Sequence, residues 1–472
     1  MKAAGAASVA GSLGFPNILR AQNQGDKLRV AFVGVGGIGG QHTGFASKAG
    51  DICNCFCDVD EGRWGNANNP ERWPKAKGYR NYREMYEKEK DNFDAVMVGT
   101  PDHTHYPAAI LAMQMGKHVY CQKPLTHTVW EARQLRLAAK KYGVATQMGN
   151  QGHANEGNRK MVEWVQSGIL GDIKEVHCFT NRPVWPQGMQ TPTGKDPIPA
   201  SIDWDAWLGT APQRDFVAKY PDNWPDADLR GKEVYAPFVW RGWWDFGGGA
   251  LADMACHTMD CVWWALDPVA PSSVEVIARS PMTNDNFPKA SVIRFEFPAN
   301  GDRPAFTGYW YDGDLFPGKP GTELLGLSRR LPGTGAMFVG TQAGILSSGD
   351  YGDRPRLIPE TFHKENAQSV PPSIPRAPEE FKADTTFWHY HQWRDAAMGK
   401  APADSPGSHF GYAAPFSETV LLANVALKMN TKLQWDSEKL EVTNVPEANQ
   451  YVKKGYERPG WTLKDLGIEV LS

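Results

Sequence analysis

Short apolar runs alternate with longer amphipathic stretches over roughly the first 150 residues. Runs of strand length lie at 30–33, 52–57, 93–99, 117–121 and 144–148. Between them, apolar residues recur at helical spacing, which predicts helices at 80–90, 106–115 and 129–142. Repeated strand–helix units with fully apolar strands predict an α/β domain over 27–150, built on a doubly wound parallel sheet.

The pattern changes after residue 150. A helix is predicted at 158–167, and strand-like runs follow at 173–179, 273–279, 290–297, 305–311 and 336–339. We expect 181–245 and 312–385, which are rich in Pro, Gly and Trp, to be largely irregular, with helices at 387–398 and 413–429. Residues 151–472 therefore read as a second domain of the α+β type, with a mostly antiparallel open sheet.

A glycine pattern follows the first predicted strand. Gly34, Gly36 and Gly39 stand in the order Gly-x-Gly-x-x-Gly. In a dinucleotide-binding turn, the first glycine permits the tight bend, the second lets the backbone approach a pyrophosphate, and the third lets the helix pack on the strand. The free N–H groups of that helix favour phosphate. We expect a Rossmann dinucleotide site here.

Asp58 ends the second predicted strand, about 20 residues beyond the last glycine, where this fingerprint places the ribose partner. A carboxylate at that position repels a 2′-phosphate, so NAD is favoured over NADP. Arg63 lies close enough in sequence to weaken that preference.

Two further segments carry chemistry. Lys123 follows a predicted strand directly, and Pro124 keeps it out of helical geometry. Asp253, His257 and Asp260 are spaced to share one helix face, where an Asp can orient an imidazole for acid–base work. An ion-paired helix face and a metal site are the alternatives at 253–260; we expect no metal.

These motifs together resemble the Gfo/Idh/MocA oxidoreductase family, over nearly the whole chain. The resemblance rests on the glycine fingerprint, Asp58, the Thr100-Pro101 turn, the Lys123-Pro124 pair and the Gly-Gly-Gly-x-Leu-x-Asp-x-x-x-His segment at 247–257. It implies that Lys123, Asp253 and His257 are catalytic and also contact the substrate. The cofactor contacts it implies are Gly34, Gly36, Gly37, Ile38, Gly39, Asp58, Thr100, Pro101, His103, His105, Gln122 and Lys123.

The chain departs from the family at one position. Members usually carry Glu before the Lys-Pro pair, whereas this chain has Gln122. The change removes a negative charge beside the nicotinamide and Lys123.

Other residues are candidates from their positions. Gln151 and His153 follow a strand end, and we expect Gln151 to face the nicotinamide and His153 the substrate. Arg182, Trp185, Arg241 and Trp243 suit a sugar pocket, because aromatic faces pack on sugar C–H surfaces and Arg donates to hydroxyls. Packing of irregular loops is the alternative for these four.

Three functions remain open at this point. The first is an NAD-dependent oxidoreductase acting on a secondary hydroxyl of a sugar or sugar derivative. The second is an NAD-dependent glycosidase that oxidises the sugar transiently and is redox-neutral overall, and the third is a non-catalytic sugar or nucleotide sensor. The family resemblance further implies a homo-oligomer, a dimer or tetramer, formed through the C-terminal sheet.

Composition and the N-terminal segment bear on location and partners. The formal net charge is −3 and no basic block occurs, so we expect no nucleic-acid partner. No apolar run reaches 18 residues, so we expect no membrane span. Residues 1–22 resemble the end of a twin-arginine export signal without its arginine pair, which favours a periplasmic or exported protein over a cytoplasmic one.

Overall fold

The first domain is a six-stranded sheet with helices on both faces. The computed structural model describes residues 26–317 and 331–472, so the predicted signal-like segment 1–22 lies outside the described residues. The strands are β1 (Val30–Val33), β2 (Cys55–Cys57), β3 (Lys77–Tyr79), β4 (Ala95–Val98), β5 (His118–Cys121) and β6 (Thr146–Met148), and the helices between them are α1 (Ile38–Lys48), α2 (Tyr82–Glu89), α3 (Asp102–Gln114) and α4 (Val129–Tyr142).

The strand order is β3-β2-β1-β4-β5-β6, with every pair parallel. The order reverses between β1 and β4, so the carboxyl ends of these strands open a crevice where such sheets bind ligands. The doubly wound parallel sheet predicted from the sequence is confirmed.

Helix α3 begins four residues before the predicted start, at Asp102 instead of Tyr106. Pro101 holds the extended N-cap position, and Asp102 to His105 are buried in the first turn. The pattern of apolar positions did not reveal this first turn, because its four residues are polar although they are buried.

The second domain contains a nine-stranded mixed sheet. Its strands are β7 (Ile173–Phe179), β8 (Ser273–Arg279), β9 (Ser291–Phe297), β10 (Phe306–Tyr311), β11 (Gly335–Gly340), β12 (Gly344–Ser348), β13 (Asp353–Ile358), β14 (Leu433–Asp436) and β15 (Glu441–Val442). The helices of this part of the chain are α5 (Glu156–Gln166), α6 (Trp204–Leu208), α7 (Gly249–Thr258), α8 (Asp260–Leu266), α9 (Glu360–Asn366), α10 (Thr385–Ala397), α11 (Phe410–Met429) and α12 (Asn449–Val452).

The order is β13-β12-β11-β7-β10-β9-β8-β14-β15, and only the β7–β10 pair is parallel. The mostly antiparallel sheet is thus confirmed. The expectation that 312–385 is irregular is wrong for β12, β13 and α9. The sequence hides β13 because it is an edge strand whose first residues, Asp-Arg-Pro-Arg, are largely exposed.

Helix α10, from the C-terminal part of the chain, completes one face of the first sheet. Tyr390 and Trp393 pack in one buried cluster with Phe32, Met97 and Tyr120. Arg394 pairs with the fully buried carboxylate of Asp51 at 2.7 Å. The residues before and after about 150 therefore form separate sheets, but a helix from the second part of the chain packs on the first sheet.

The last residues of the chain also lie on the first domain. Lys454 reaches Glu131 at 3.3 Å, Arg83 donates to the carbonyl of Gly460 at 2.8 Å, and Gln134 donates to the carbonyl of Leu471 at 2.9 Å. Each of these contacts joins residues more than 300 positions apart.

Two features concern partners. Helices long and apolar enough to cross a bilayer do not occur in 26–317 or 331–472. The outward face of the large sheet mixes charged and aromatic side chains, such as Arg294 paired with Glu275 at 2.5 Å and Tyr309 stacked on His177. The homo-oligomer expected through this sheet stays a prediction.

Candidate active site

A cleft of about 650 Å³ opens at the carboxyl ends of β1, β4 and β5. The fingerprint loop lines one end of it, and α7 of the second domain lines the other. It has the location that a dinucleotide and a small second ligand need in a sheet of this type.

The fingerprint loop requires its glycines. A Cβ on Gly34, whose φ is +82°, would lie 2.8 Å from the backbone of Gly99, and a Cβ on Gly39 would lie 2.0 Å from the carbonyl oxygen of Gly34. Gly37, at φ +53°, faces open space at the N-terminus of α1, where no side chain caps the helix. The loop therefore fits a phosphate held by backbone N–H groups.

Asp58 is fixed beside this loop. Its Oδ2 accepts from the N–H groups of Val35 at 3.0 Å and Gly36 at 3.3 Å, and its Oδ1 accepts from Asp60 at 3.1 Å. Burial raises the pKa of this carboxyl, although the three N–H groups and Arg63 oppose the shift. The side chain of Arg63 lies over Gly36.

At the other end of the cleft, Lys123, Asp253 and Arg241 form one charged cluster. Lys123 Nζ lies 2.7 Å and Arg241 Nε 3.0 Å from the same Oδ1 of Asp253. Burial alone would raise the pKa of Asp253, but Lys123 and Arg241 outweigh it and hold that pKa well below its usual range. The cluster thus contains a carboxylate and two cations whose side chains are largely buried.

His257 lies one turn after Asp253 on α7 and lines the same cleft. Burial, assisted by the nearby charge of Lys123, lowers its pKa to about 3, so the imidazole is neutral at pH 7. The ring meets Tyr351 edge to face at 4.9 Å, and its Nδ1 has no hydrogen-bond partner within the described chain. A neutral imidazole in such a cleft can accept a proton.

Asp102 is a buried carboxyl that sequence reasoning missed. Its Oδ2 accepts from the N–H of Gly248 at 3.0 Å, and burial raises its pKa to about 7 against the opposing charges of Arg241 and Lys123. It links the start of α3 to the loop before α7. Its position directly after the Thr100-Pro101 turn was the available signal.

Most of the predicted site residues lie together in the cleft. Those lining it are Gly34, Gly36, Gly37, Ile38, Asp58, Thr100, Pro101, Gln122, Lys123, Gln151, Arg182, Arg241, Asp253 and His257. Arg182 is held there by Asp350 at 3.2 Å. Tyr351, Asp350, Phe238 and Trp240 also line the cleft but were not predicted.

Six predicted residues lie behind the wall of the cleft. Gly39 packs under Gly34. His103 lies 3.0 Å from the carbonyl of Trp207, and His105 lies 2.8 Å from the carbonyl of Pro124, so each holds a loop in place. Trp185 donates to Gln187 and Trp243 to the carbonyl of Val234, with little surface exposed in either case.

His153, the sixth, is directed away from the cleft. Its Nδ1 lies 3.0 Å from Asp260 Oδ2, and its ring stacks on Trp264 at 4.1 Å. Asp260 was expected to share a helix face with Asp253 and His257. That expectation is wrong, because α7 ends at Thr258 and a new helix begins at Asp260.

Gln122 has a partner that suits an amide. Its Nε2 lies 2.9 Å from Nε2 of His42, whose pKa burial lowers to about 3. A neutral imidazole nitrogen accepts from an amide N–H, whereas a glutamate here would need the tautomer that carries its hydrogen on Nε2. Gln122, which stands where the family usually has Glu, therefore has in His42 a neighbour that can accept its N–H.

One segment of the second domain closes over the Asp58 end of the cleft. We call residues 201–240 the strap. The backbone N–H of Asp203 donates to the carbonyl of Val59 at 2.8 Å, and the backbone N–H of Glu61 donates to the carbonyl of Ser201 at 3.0 Å. Trp204 and Tyr235 of the strap line the cleft with Asp58, so this end is covered by both domains.

Two family profiles match the chain. The profile described as "Oxidoreductase family, NAD-binding Rossmann fold" matches residues 28–150, and the one described as "Oxidoreductase family, C-terminal alpha/beta domain" matches 156–297. Together they span more than half of the 472 residues.

Curated relatives are similar over a limited part of the chain. Inositol 2-dehydrogenase 1 of Saccharopolyspora erythraea is 30% identical over 156 residues, which are 32% of this chain and 45% of that protein. A glycosyl hydrolase family 109 protein of Shewanella pealeana is 27% identical over 154 residues, which are 31% of this chain and 34% of that protein. The chain thus matches less than half the length of these relatives.

Among solved structures, the WlbA dehydrogenase of Chromobacterium violaceum, in complex with NADH and UDP-GlcNAcA, superposes with a TM-score of 0.57 at 18% identity. The match covers 88% of this chain and 98% of that one. At this identity the likeness shows the fold. The profiles and the cofactor cleft agree, and the chain belongs to the Gfo/Idh/MocA family of NAD-dependent oxidoreductases.

Proposed function

We propose that the protein transfers hydride between tightly bound NAD and a secondary hydroxyl of a sugar or sugar derivative. The observation that carries the proposal is the cluster of Lys123, Asp253, Arg241 and His257 at the end of the NAD cleft. It pairs a neutral proton acceptor with fixed positive charge, as oxidation of an alcohol requires. The names of the inositol dehydrogenase and family 109 relatives support a polyhydroxylated substrate.

Each residue of the cluster has a distinct part in this chemistry. NAD, when bound, supplies the hydride acceptor. His257 takes the proton of the substrate hydroxyl, since it is neutral and lines the cleft. The Nζ of Lys123 stabilises the oxygen as negative charge develops on it, and Asp253 holds Lys123 and Arg241 in position through its Oδ1.

The residues present fit the cofactor. The Gly37 corner offers open space beside uncapped helix N–H groups, and the Asp58 carboxylate stands at the ribose position of the fingerprint. Because the strap covers the Asp58 end of the cleft, bound nucleotide could dissociate only after the strap opens.

Accordingly, we expect NAD(H) to remain bound through purification. Denaturing the gel-filtered protein and assaying the supernatant should release close to one equivalent of NAD(H). Recovery of NADP(H) would contradict the role assigned to Asp58. Protein free of nucleotide that rebinds NAD weakly would contradict retention by the strap.

A redox-neutral glycosidase is the second candidate, and the family 109 glycosyl hydrolase relatives favour it. In this route the sugar is oxidised transiently, a proton beside the new ketone is removed, the aglycone is eliminated, water adds to the unsaturated ketone, and the hydride returns to the ketone. The same cluster would serve both half-reactions. We favour the oxidoreductase, because the described residues of the cleft do not identify a dedicated acid for the leaving group.

Product analysis in D2O separates the two. With a panel of glycosides and free sugars, an oxidoreductase should give a keto-sugar or a reduced acceptor and leave the glycosidic bond intact. A glycosidase of this kind should release the aglycone and place deuterium next to the oxidised carbon, with no net NADH. Aglycone release with deuterium in the sugar and no keto-product would overturn our preference.

A further inference from the structure

A second cavity, of about 580 Å³, lies behind the loop that precedes α7. Among the described residues, its lining and that of the NAD cleft do not overlap. Segments from both domains enclose it: the start of α4, the loop at 210–213, the loop at 244–247, the end of α11 and the tail at 450–459. Exposed residues such as Gln450 and Tyr451 stand at its mouth, so a small molecule can enter from solvent.

The wall is mostly apolar, but the ammonium group of Lys428 lies in it without an ion pair to a described carboxylate. Lys428 is half-buried and forms no ion pair in the described parts of the chain; its Nζ donates only to the carbonyl of Asn284 at 2.9 Å. The carboxylates of Asp245 and Asp285 lie near Lys428 without pairing with it: Asp245 is held by Arg214 at 2.5 Å, and Asp285 accepts from Thr191 at 2.7 Å. The Lys428 Nζ also lies 4.7 Å from the ring centre of Trp244.

Three side chains of this wall each retain a buried polar atom with no hydrogen-bond partner in the described structure: Trp244 Nε1, His127 Nδ1 and Asn424 Oδ1. A buried polar atom without a partner costs about 1–3 kcal/mol, and such atoms in native proteins usually serve a ligand or a water. Of these, Trp244 Nε1 is the donor, and it and the Lys428 ammonium suit an anionic ligand; the His127 and Asn424 atoms are acceptors and need a donor such as water.

We propose that this cavity, the Lys428 cavity, binds a small organic carboxylate whose apolar body packs against Trp244 and the neighbouring apolar wall. The carboxylate supplies the missing partner of the Lys428 ammonium. The mostly apolar lining favours such a ligand over inorganic phosphate, which would lose hydration without apolar contact in return.

Occupancy of the Lys428 cavity is coupled to the NAD cleft through two glycines. His127 Nε2 lies 3.2 Å from the carbonyl of Gly247, and Asn424 Nδ2 donates to the carbonyl of Gly248 at 3.0 Å. The N–H of Gly248 in turn donates to Asp102, and α7 with Asp253 and His257 begins at the next residue. Both side chains line the cavity, so a ligand that displaces either of them shifts the loop that positions α7.

Phenylacetate is a suitable probe, with phenylacetamide as its uncharged analogue and inorganic phosphate as the small anion. Calorimetry on the full chain loaded with NADH should show phenylacetate binding with a Kd below about 10 mM, and no binding of the other two. The fluorescence of the bound NADH should change as phenylacetate saturates. Equal binding of phosphate or phenylacetamide would overturn the carboxylate assignment, and binding without a fluorescence change would overturn the coupling.

Variants locate the site. Lys428→Gln should weaken phenylacetate binding at least 10-fold, whereas Lys432→Gln, which removes the same charge just beyond the same helix, should leave Kd within about 2-fold. Tyr451→Ala, at the exposed mouth, should also weaken binding and serves if Lys428→Gln does not fold. Lys123→Ala should bind phenylacetate normally; loss of binding in that variant would place the probe in the catalytic cleft and contradict the proposal.

Discussion

Lys123→Ala is expected to lower kcat/KM at least about 100-fold while NAD stays bound, because removal of one preorganised charge from a developing oxyanion costs this much. The ammonium lies 2.7 Å from Asp253, and the NAD-binding loop lies at the other end of the cleft. Rates are measured on the sugar identified by product analysis, and nucleotide content is measured by denaturation. Lys219→Ala is the matched control, since Lys219 lines the outer cleft but is exposed.

His257→Ala should cause a loss of similar size, through the missing proton acceptor. Chelators should have no effect, because two cations already occupy Asp253 within 3.0 Å. A His257→Ala enzyme that keeps near-normal turnover would remove His257 from the mechanism. Inactivation by a chelator would indicate that Asp253 and His257 hold a metal.

The second large effect that we expect is a loss of stability at low pH. We expect the melting temperature to fall by at least about 10 °C between pH 7.5 and pH 5, because burial lowers the pKa of a whole group of imidazoles. Burial holds the pKa of seven histidines at about 3 or 4: His42, His103, His105, His118, His127, His257 and His389.

The direction of the change in stability follows from which state, folded or unfolded, binds the protons. Below about pH 6.5 the unfolded chain protonates these imidazoles and the folded chain does not, so stability decreases as the pH falls, by about 2 kcal/mol per histidine at pH 5. Asp102 and Asp312 act in the opposite sense, since burial raises the pKa of each to about 7 and the folded state gains the proton first. Seven histidines outweigh two carboxyls.

Thermal melts at constant ionic strength, in buffers from pH 5 to 7.5, check this expectation. Imidazole titration by NMR on the folded protein provides the independent measurement. A melting temperature that stays flat over this range, or histidine signals that titrate near pH 6.5, would show that the folded protein accepts these protons.

The parts of the site that sit on short, local patterns could be predicted from the sequence. The fingerprint glycines, Asp58 and Lys123 follow strand ends, and a parallel sheet brings such ends to one edge. Asp253 and His257 are four residues apart on one helix, so their common face follows from helical geometry. All of these residues except Gly39 line the cleft.

The rest depends on contacts between distant segments. Tyr351 and Asp350 belong to the turn between β12 and the edge strand β13, which carries no strand pattern, and they reach the cleft only because the large sheet places that turn beside α7. His153 was misplaced for the converse reason. It follows a strand end, but a buried partner on α8 turns its ring away from the cleft.

Helix α10 and the tail have a consequence for the order in which the protein can mature. A ribosome releases residues 26–150 long before it reaches Tyr390, Trp393 and Arg394. Until then, Tyr120 on that face of the six-stranded sheet lacks its contact with Trp393, and the Asp51 carboxylate lacks its ion pair with Arg394. We therefore expect a nascent chain arrested near residue 150 to expose part of this face, and the first domain to reach its final packing only after almost the entire sequence is translated.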